Sequence, residues 1–172
     1  MEKPLLIKDR VVVLDHALAS RTFNKGRFGA FEDGKLILSL EEAMYLKEKR
    51  GLEIYDRNGK EVTLKGFLRH CEKLQKRFWA RYSVFKDLRA AGHIVKTAFK
   101  YGGDFRVYGK GSHPGEGHAP WILYAATEHE GINFLKFAAI NRIAHSVKKK
   151  VLFGVVDDEG SVTYYEMGWV RI

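Results

Sequence analysis

Apolar positions along the chain recur with a period of about two in some stretches and about three and a half in others, and the switches between these periods mark its elements. Val11 to Leu14 is a short apolar run, and Arg27 to Leu38 reads as a hairpin about Asp33-Gly34, a pair suited to the positive φ angles of a tight turn. Ser39-Leu-Glu-Glu42 is a capping-box pattern, which predicts a helix from Leu40 to about Arg50 that stops at Gly51. Leu52 to Tyr55 then reads as a strand closed by Asp56-Arg-Asn-Gly59. From Thr63 onward Leu64, Phe67, Leu68, Cys71, Leu74 and Phe78 form a single stripe, the signature of one amphipathic helix.

The second half switches period more often. A helix over Ser83 to Ala91 ends at Gly92 and leads into a strand from His93 to Thr97, with another from Asp104 to Tyr108. Trp121 to Thr127 and Val151 to Val156 are nearly continuous apolar runs, which suits strands covered on both faces. Between them Ile132 to Val147 predicts a helix with Phe134, Leu135, Ala138, Ala139, Ile143 and Val147 inward. Asp157-Asp-Glu-Gly160 turns the chain into a last strand, Val162 to Val170. The expected fold is α/β (α+β): a small N-terminal α/β module over 1–82, then a unit over 83–172 with a central mixed sheet flanked by helices.

Charge narrows the partner. The 30 Lys and Arg against 21 Asp and Glu give a net charge of +9, and both halves are basic, so the positive field belongs to a folded surface and points to a polyanion, nucleic acid first. Cys71 is the only cysteine, which excludes a disulfide framework or a cysteine zinc site and suggests a reducing compartment. With no apolar run near the roughly 20 residues of a membrane span, and no secretory pattern in Met1 to Arg10, the expectation is a cytoplasmic protein without a membrane partner.

Candidate chemistry gathers around Tyr101 to His118, where a short strand ends in a tyrosine and a loop with Gly109, Gly111, Pro114, Gly115 and Gly117 returns at a histidine. A plain surface hairpin is the competing description. Lys149 lies between the Ile132 helix and the Val151 strand. If Tyr108, His118 and Lys149 converge, a base, an acid and a fixed cation suffice to cleave RNA through its own 2′-hydroxyl, with no metal or other cofactor. His113, His129 and His145 read as solvated or locally satisfied residues.

Three ordered blocks sharpen this reading: DLRAAGHIVKTAFKYGGDFRVYGKG, GHAPWILY and RIAHSVKKKVLFGVVDDEGSVTYYEM. Together they resemble the catalytic domain of the archaeal tRNA-splicing endonucleases over nearly all of 84–172, and the first half resembles, more loosely, that family's smaller N-terminal domain. The resemblance implies an endoribonuclease that excises introns from precursor tRNA at bulge-helix-bulge sites, leaving 2′,3′-cyclic phosphate and 5′-hydroxyl ends. By motif position it implies a catalytic triad at Tyr108, His118 and Lys149, with Lys148 and Lys150 as neighbouring candidates. It also implies that Arg142 stacks on a bulge base, and that Asp157, Asp158 and Glu159 form an acidic loop that joins dimers into a homotetramer.

Two other classes compete. A restriction-type nuclease would need a Glu-x-Lys element to hold its divalent ion; none occurs, and Asp104, Glu128 and Glu130 are the carboxylates left to form a metal site. A non-catalytic RNA-binding scaffold subunit would be expected to lack the triad, whereas all three positions hold suitable residues.

Overall fold

The computed structural model describes residues 2–98, 102–112, 114–115, 117–170 and 172. The chain divides into two compact units, Met1–Phe78 and Trp79–Ile172. Tyr101, His113 and Glu116, part of the loop singled out above, lie outside the described residues.

The first unit holds β1 (Leu5–Ile7), β2 (Arg10–Val13), α1 (His16–Gly26), β3 (Ala30–Glu32), β4 (Lys35–Ser39), α2 (Leu40–Arg50) and α3 (Leu64–Leu74). Its sheet runs β1-β2-β4-β3, antiparallel throughout. The hairpin turns at Asp33 and Gly34, both at positive φ. The capping box forms as expected: Ser39 Oγ accepts from Glu42 N, and Glu42 Oε2 accepts from Ser39 N. The other carboxylate oxygen, Oε1, takes the Gly29 N–H at 2.8 Å, so one buried glutamate ties the helix start to the hairpin.

Two elements of this unit differ from the pattern. Tyr55 makes only isolated bridges, to Leu5 and Glu61, instead of a strand over 52–55. The Leu64 stripe is interrupted: α3 ends at Leu74, with Gln75 in an extended conformation, and Phe78 opens the next helix. A stripe reports which residues are buried on one side; it does not report that the backbone bonds run unbroken between them.

The second unit is organised by α4 (Phe78–Ala90), β5 (Val95–Thr97), β6 (Phe105–Val107), β7 (Trp121–Thr127), α5 (Phe134–Ser146), β8 (Lys150–Val156) and β9 (Val162–Met167). The sheet order is β5-β6-β7-β8-β9, with β7 and β8 parallel and every other pair antiparallel. This is the mixed sheet with helices expected from the sequence. The two helices pack on opposite faces. Ile122, Tyr124 and Val151 form a core with Ile140 and Ala144 of α5. Alternate positions face α4: Phe105 packs on Phe85, and a Cβ on Gly154 would stand 2.9 Å from Val84 Cγ2, so a glycine there lets the helix approach the strand.

A buried ion pair braces this arrangement. Arg81 of α4 donates to Asp104 Oδ1 at 3.1 Å, and Asp104 Oδ2 accepts from Ala125 N of β7 at 2.9 Å. The Arg81 guanidinium also lies 5.1 Å from the Phe105 ring centroid. Asp104, one of the carboxylates considered for a metal, is thereby committed to holding a helix to two strands.

Helix α5 corrects the expected inward face. Its buried residues are Ile140, Asn141 and Ala144, whereas Phe134 is 90% and Leu135 79% exposed, Ala138 is exposed and Ile143 is partly so. At 3.6 residues per turn, Leu135 and Ala138 lie roughly opposite Ile140 and Ala144. A helix apolar all round gives the sequence no means of choosing the face that meets the sheet.

Candidate active site

Strand register places the three candidate side chains. Val107 pairs with Trp121, and Trp121 pairs with Lys150. Tyr108 therefore follows the last residue of β6, His118 precedes β7 by three residues, and Lys149 immediately precedes β8, all at one end of three adjacent strands. Tyr108 is 4% exposed, Lys149 is half-buried and His118 is exposed.

The lysines at 148, 149 and 150 do three different things. Helix α5 closes with Lys149 N donating to Ala144 O and Lys148 N to His145 O, and Lys148 adopts the left-handed conformation at φ 54°. That pair of bonds is a Schellman motif with lysine where glycine is more usual. Lys150 heads β8 and its Nζ pairs with Glu166 at 2.6 Å. Lys149 Nζ instead donates to Ala119 O, which brings its ammonium to the residue next to His118. Burial lowers the Lys149 pKa, and the charge of Arg106 lowers it further.

Two residues that the pattern did not single out support this corner. Arg106, in the middle of β6, donates its Nε–H to Thr97 O at 3.3 Å, and its charge helps to lower the Lys149 pKa. His93 Nδ1 lies 2.8 Å from Tyr108 O; a carbonyl only accepts, so Nδ1 carries the hydrogen and fixes the backbone at Tyr108. Neither has a local sequence signal, since both act across the sheet.

The lowered Lys149 pKa gives a pH prediction. Its charged form is disfavoured in the folded chain, so it opposes folding at neutral pH, and that penalty is relieved as pH rises through the lowered pKa. Arg106→Gln removes one cause, so lysine-selective carbon NMR should show Lys149 titrating at higher pH than in the parent. An unchanged titration would remove Arg106 from the site.

Other candidates lie elsewhere. Tyr124 is a poor alternative base: its hydroxyl donates to Gly102 O, and burial, then the Asp104 charge, raise its pKa. Arg142 is exposed on α5 and, among the described residues, has no ion pair. The Asp157 turn lies at the far end of β8 from Lys149, about 26 Å away at the rise of a strand. Within it the carboxylates divide: Asp157 Oδ1 accepts from Glu159 N and Ser161 N and so builds the turn, while Asp158 and Glu159 are exposed. His129 Nε2 meets Asp158 Oδ1 at 3.0 Å. Glu130 Oε1 accepts from Thr127 N.

Tyr108, His118 and Lys149 thus stand at one end of three adjacent strands in a single mixed-sheet domain. Comparison with known proteins says which such domain this is. Residues 78–164 match the tRNA intron endonuclease catalytic C-terminal domain, and 3–68 match the N-terminal domain of the same family. The chain is 37% identical over 164 residues to a tRNA-splicing endonuclease of Methanothermobacter thermautotrophicus and to one of Thermococcus gammatolerans, covering 95% of each chain in both cases. It is 40% identical over 140 residues to one of Nanoarchaeum equitans, covering 78% of this chain and 89% of that one. The chain belongs to the tRNA intron endonuclease family and is an endonuclease. Among the described residues no helix is long and apolar enough to cross a membrane.

Proposed function

We propose that this chain excises introns from precursor tRNA by cutting bulge-helix-bulge RNA without a metal ion, leaving 2′,3′-cyclic phosphate and 5′-hydroxyl ends. Tyr108 takes the proton of the 2′-hydroxyl, whose oxygen attacks the adjacent phosphorus. His118 gives a proton to the departing 5′-oxygen, and Lys149 stabilises the charge that grows on the phosphate. The nucleophile is part of the substrate, so no water has to be activated. The observation that carries this reading is the Lys149 contact to Ala119 O at the strand ends that also bear Tyr108 and His118.

A bulge-helix-bulge RNA incubated in excess EDTA tests it. Cutting with a cyclic phosphate at the new 3′ end is the expected outcome; cutting only after added magnesium would overturn it. Arg142 stacks its guanidinium plane on an unpaired bulge base. Arg142→Lys keeps the charge without the plane and is expected to cut the bulged substrate about tenfold more slowly, at the scale of one stacked base. Equal rates would rule stacking out.

The working form is a homotetramer, a dimer of dimers, because a substrate with two cuts needs at least two copies of a one-site chain. Exposed Phe134 and Leu135 on α5 and the edge strand β9, with Tyr165 and Trp169 exposed, supply apolar surface for self-association. Asp158 and Glu159 supply the acidic contact between dimers. Asp158→Ser with Glu159→Ser spares Asp157 and hence the turn, and is expected to give dimers by light scattering with cleavage much reduced. A double variant that stays tetrameric would show that the turn does not join the dimers.

A further inference from the structure

A cavity of about 520 Å³ opens in the N-terminal unit between the segment at Lys3, helix α1 and the Gly51 turn, a volume within the range of small-ligand sites. Leu18, Leu46, Leu52 and the ring of Tyr55 make its lining largely apolar, while Lys3, Arg21, Lys25 and Arg50 stand around it. All four cations are exposed, and among the described residues none is in an ion pair. Lys3 Nζ lies 4.0 Å from the Tyr55 ring centroid. Of the two carboxylates that line the cavity, Glu2 and Glu53, the second accepts the Tyr55 hydroxyl at 2.7 Å.

We propose that this cavity holds one unpaired nucleotide of an RNA strand, its base against Leu18, Leu52 and Tyr55 and its flanking phosphates on the four cations. Charge complementarity selects this occupant. An apolar lining alone would accept any hydrocarbon, but four exposed cations, none in an ion pair among the described residues, call for more than one anionic group. A nucleotide within a strand offers a flat face between two phosphates, whereas an acyl chain or an acidic side chain brings a single charge. The proposal rests on RNA being the substrate, and it places a second RNA contact in the unit that does not carry Tyr108, His118 or Lys149.

The test uses the whole chain and a six-nucleotide single-stranded RNA containing 4-thiouridine. Arg21→Glu with Lys25→Glu changes two exposed α1 residues and should weaken anisotropy-measured binding at least tenfold, lowering the salt slope by about 1.4 for the two lost phosphate contacts. The photo-crosslink in the parent should map to the peptide holding Leu52 and Tyr55. Unchanged binding in the double variant, or crosslinks confined to residues 79–172, would overturn the proposal. So would a free nucleoside monophosphate that binds as tightly as the hexamer, which would mark a small-molecule site, or a glutamate hexapeptide that competes equally, which would mark a protein site. Failure of the parent to cut would strike the catalytic reading and leave the crosslink result standing.

Discussion

His118→Ala is expected to slow RNA cleavage by about 10²- to 10⁴-fold, the usual worth of a general acid, while leaving the folded state nearly untouched. His118 is exposed, and among the described residues its side chain makes no hydrogen bond, so its removal opens no cavity and strands no polar group. Thermal stability should stay within about 0.5 kcal/mol of the parent, as for other surface substitutions. The decisive comparison uses a substrate with sulfur in place of the bridging 5′-oxygen at the cut. A thiolate leaves without prior protonation, so that substrate should recover most of the rate lost by the variant. If both substrates are slowed equally, His118 is not the acid. A 2′-deoxy nucleotide at the cut removes the nucleophile itself, and any cleavage of that RNA would rule out the whole scheme.

The lysines show how far such a site can be read before the fold is known. Three lysines in a row are equivalent in composition, and only motif position favoured the middle one. The structure separates them by physical causes: Lys148 turns in the left-handed region, Lys150 pairs with Glu166, and Lys149 reaches Ala119 O. The first is a backbone event at a helix end, and the others depend on which strand lies alongside. Helix α1 shows the reverse case, a local signal that was present and passed over. Asp15 caps it by accepting from Leu18 N at 2.8 Å, yet the following residues carry no clear apolar stripe. Capping at Ser39 was legible because Glu42 completes the box, and the hairpin because Asp33-Gly34 has few other uses. Arg106 and His93 were hidden, since the neighbours that give them a role lie across the sheet or in another segment.

The largest expected effect on stability belongs to another long-range contact, the brace between Arg81 and Asp104. Both side chains are about nine-tenths buried, at 9% and 11% exposure, so neither charge can turn to water if its partner is lost. Asp104→Ala also leaves Ala125 N without its acceptor in the middle of β7. Removing one member of a buried pair costs about 3–5 kcal/mol, because the remaining charge stays desolvated and uncompensated. The consequence should reach the active site through the ladder. Asp104 N donates to Leu123 O at the start of the β6–β7 pairing, and that pairing carries Tyr108 to the sheet end three residues after Phe105. Denaturant unfolding should therefore show a midpoint well below the parent's with the slope unchanged. At temperatures where the variant remains folded, cleavage should fall far less than in His118→Ala, since no reacting group has been removed. Replacing both residues, Arg81→Met with Asp104→Leu, puts apolar groups of similar size in the same space and should recover much of the loss, as buried pairs often tolerate such exchange. If Asp104→Ala costs less than about 1 kcal/mol, the pair is not what holds α4 to β6 and β7.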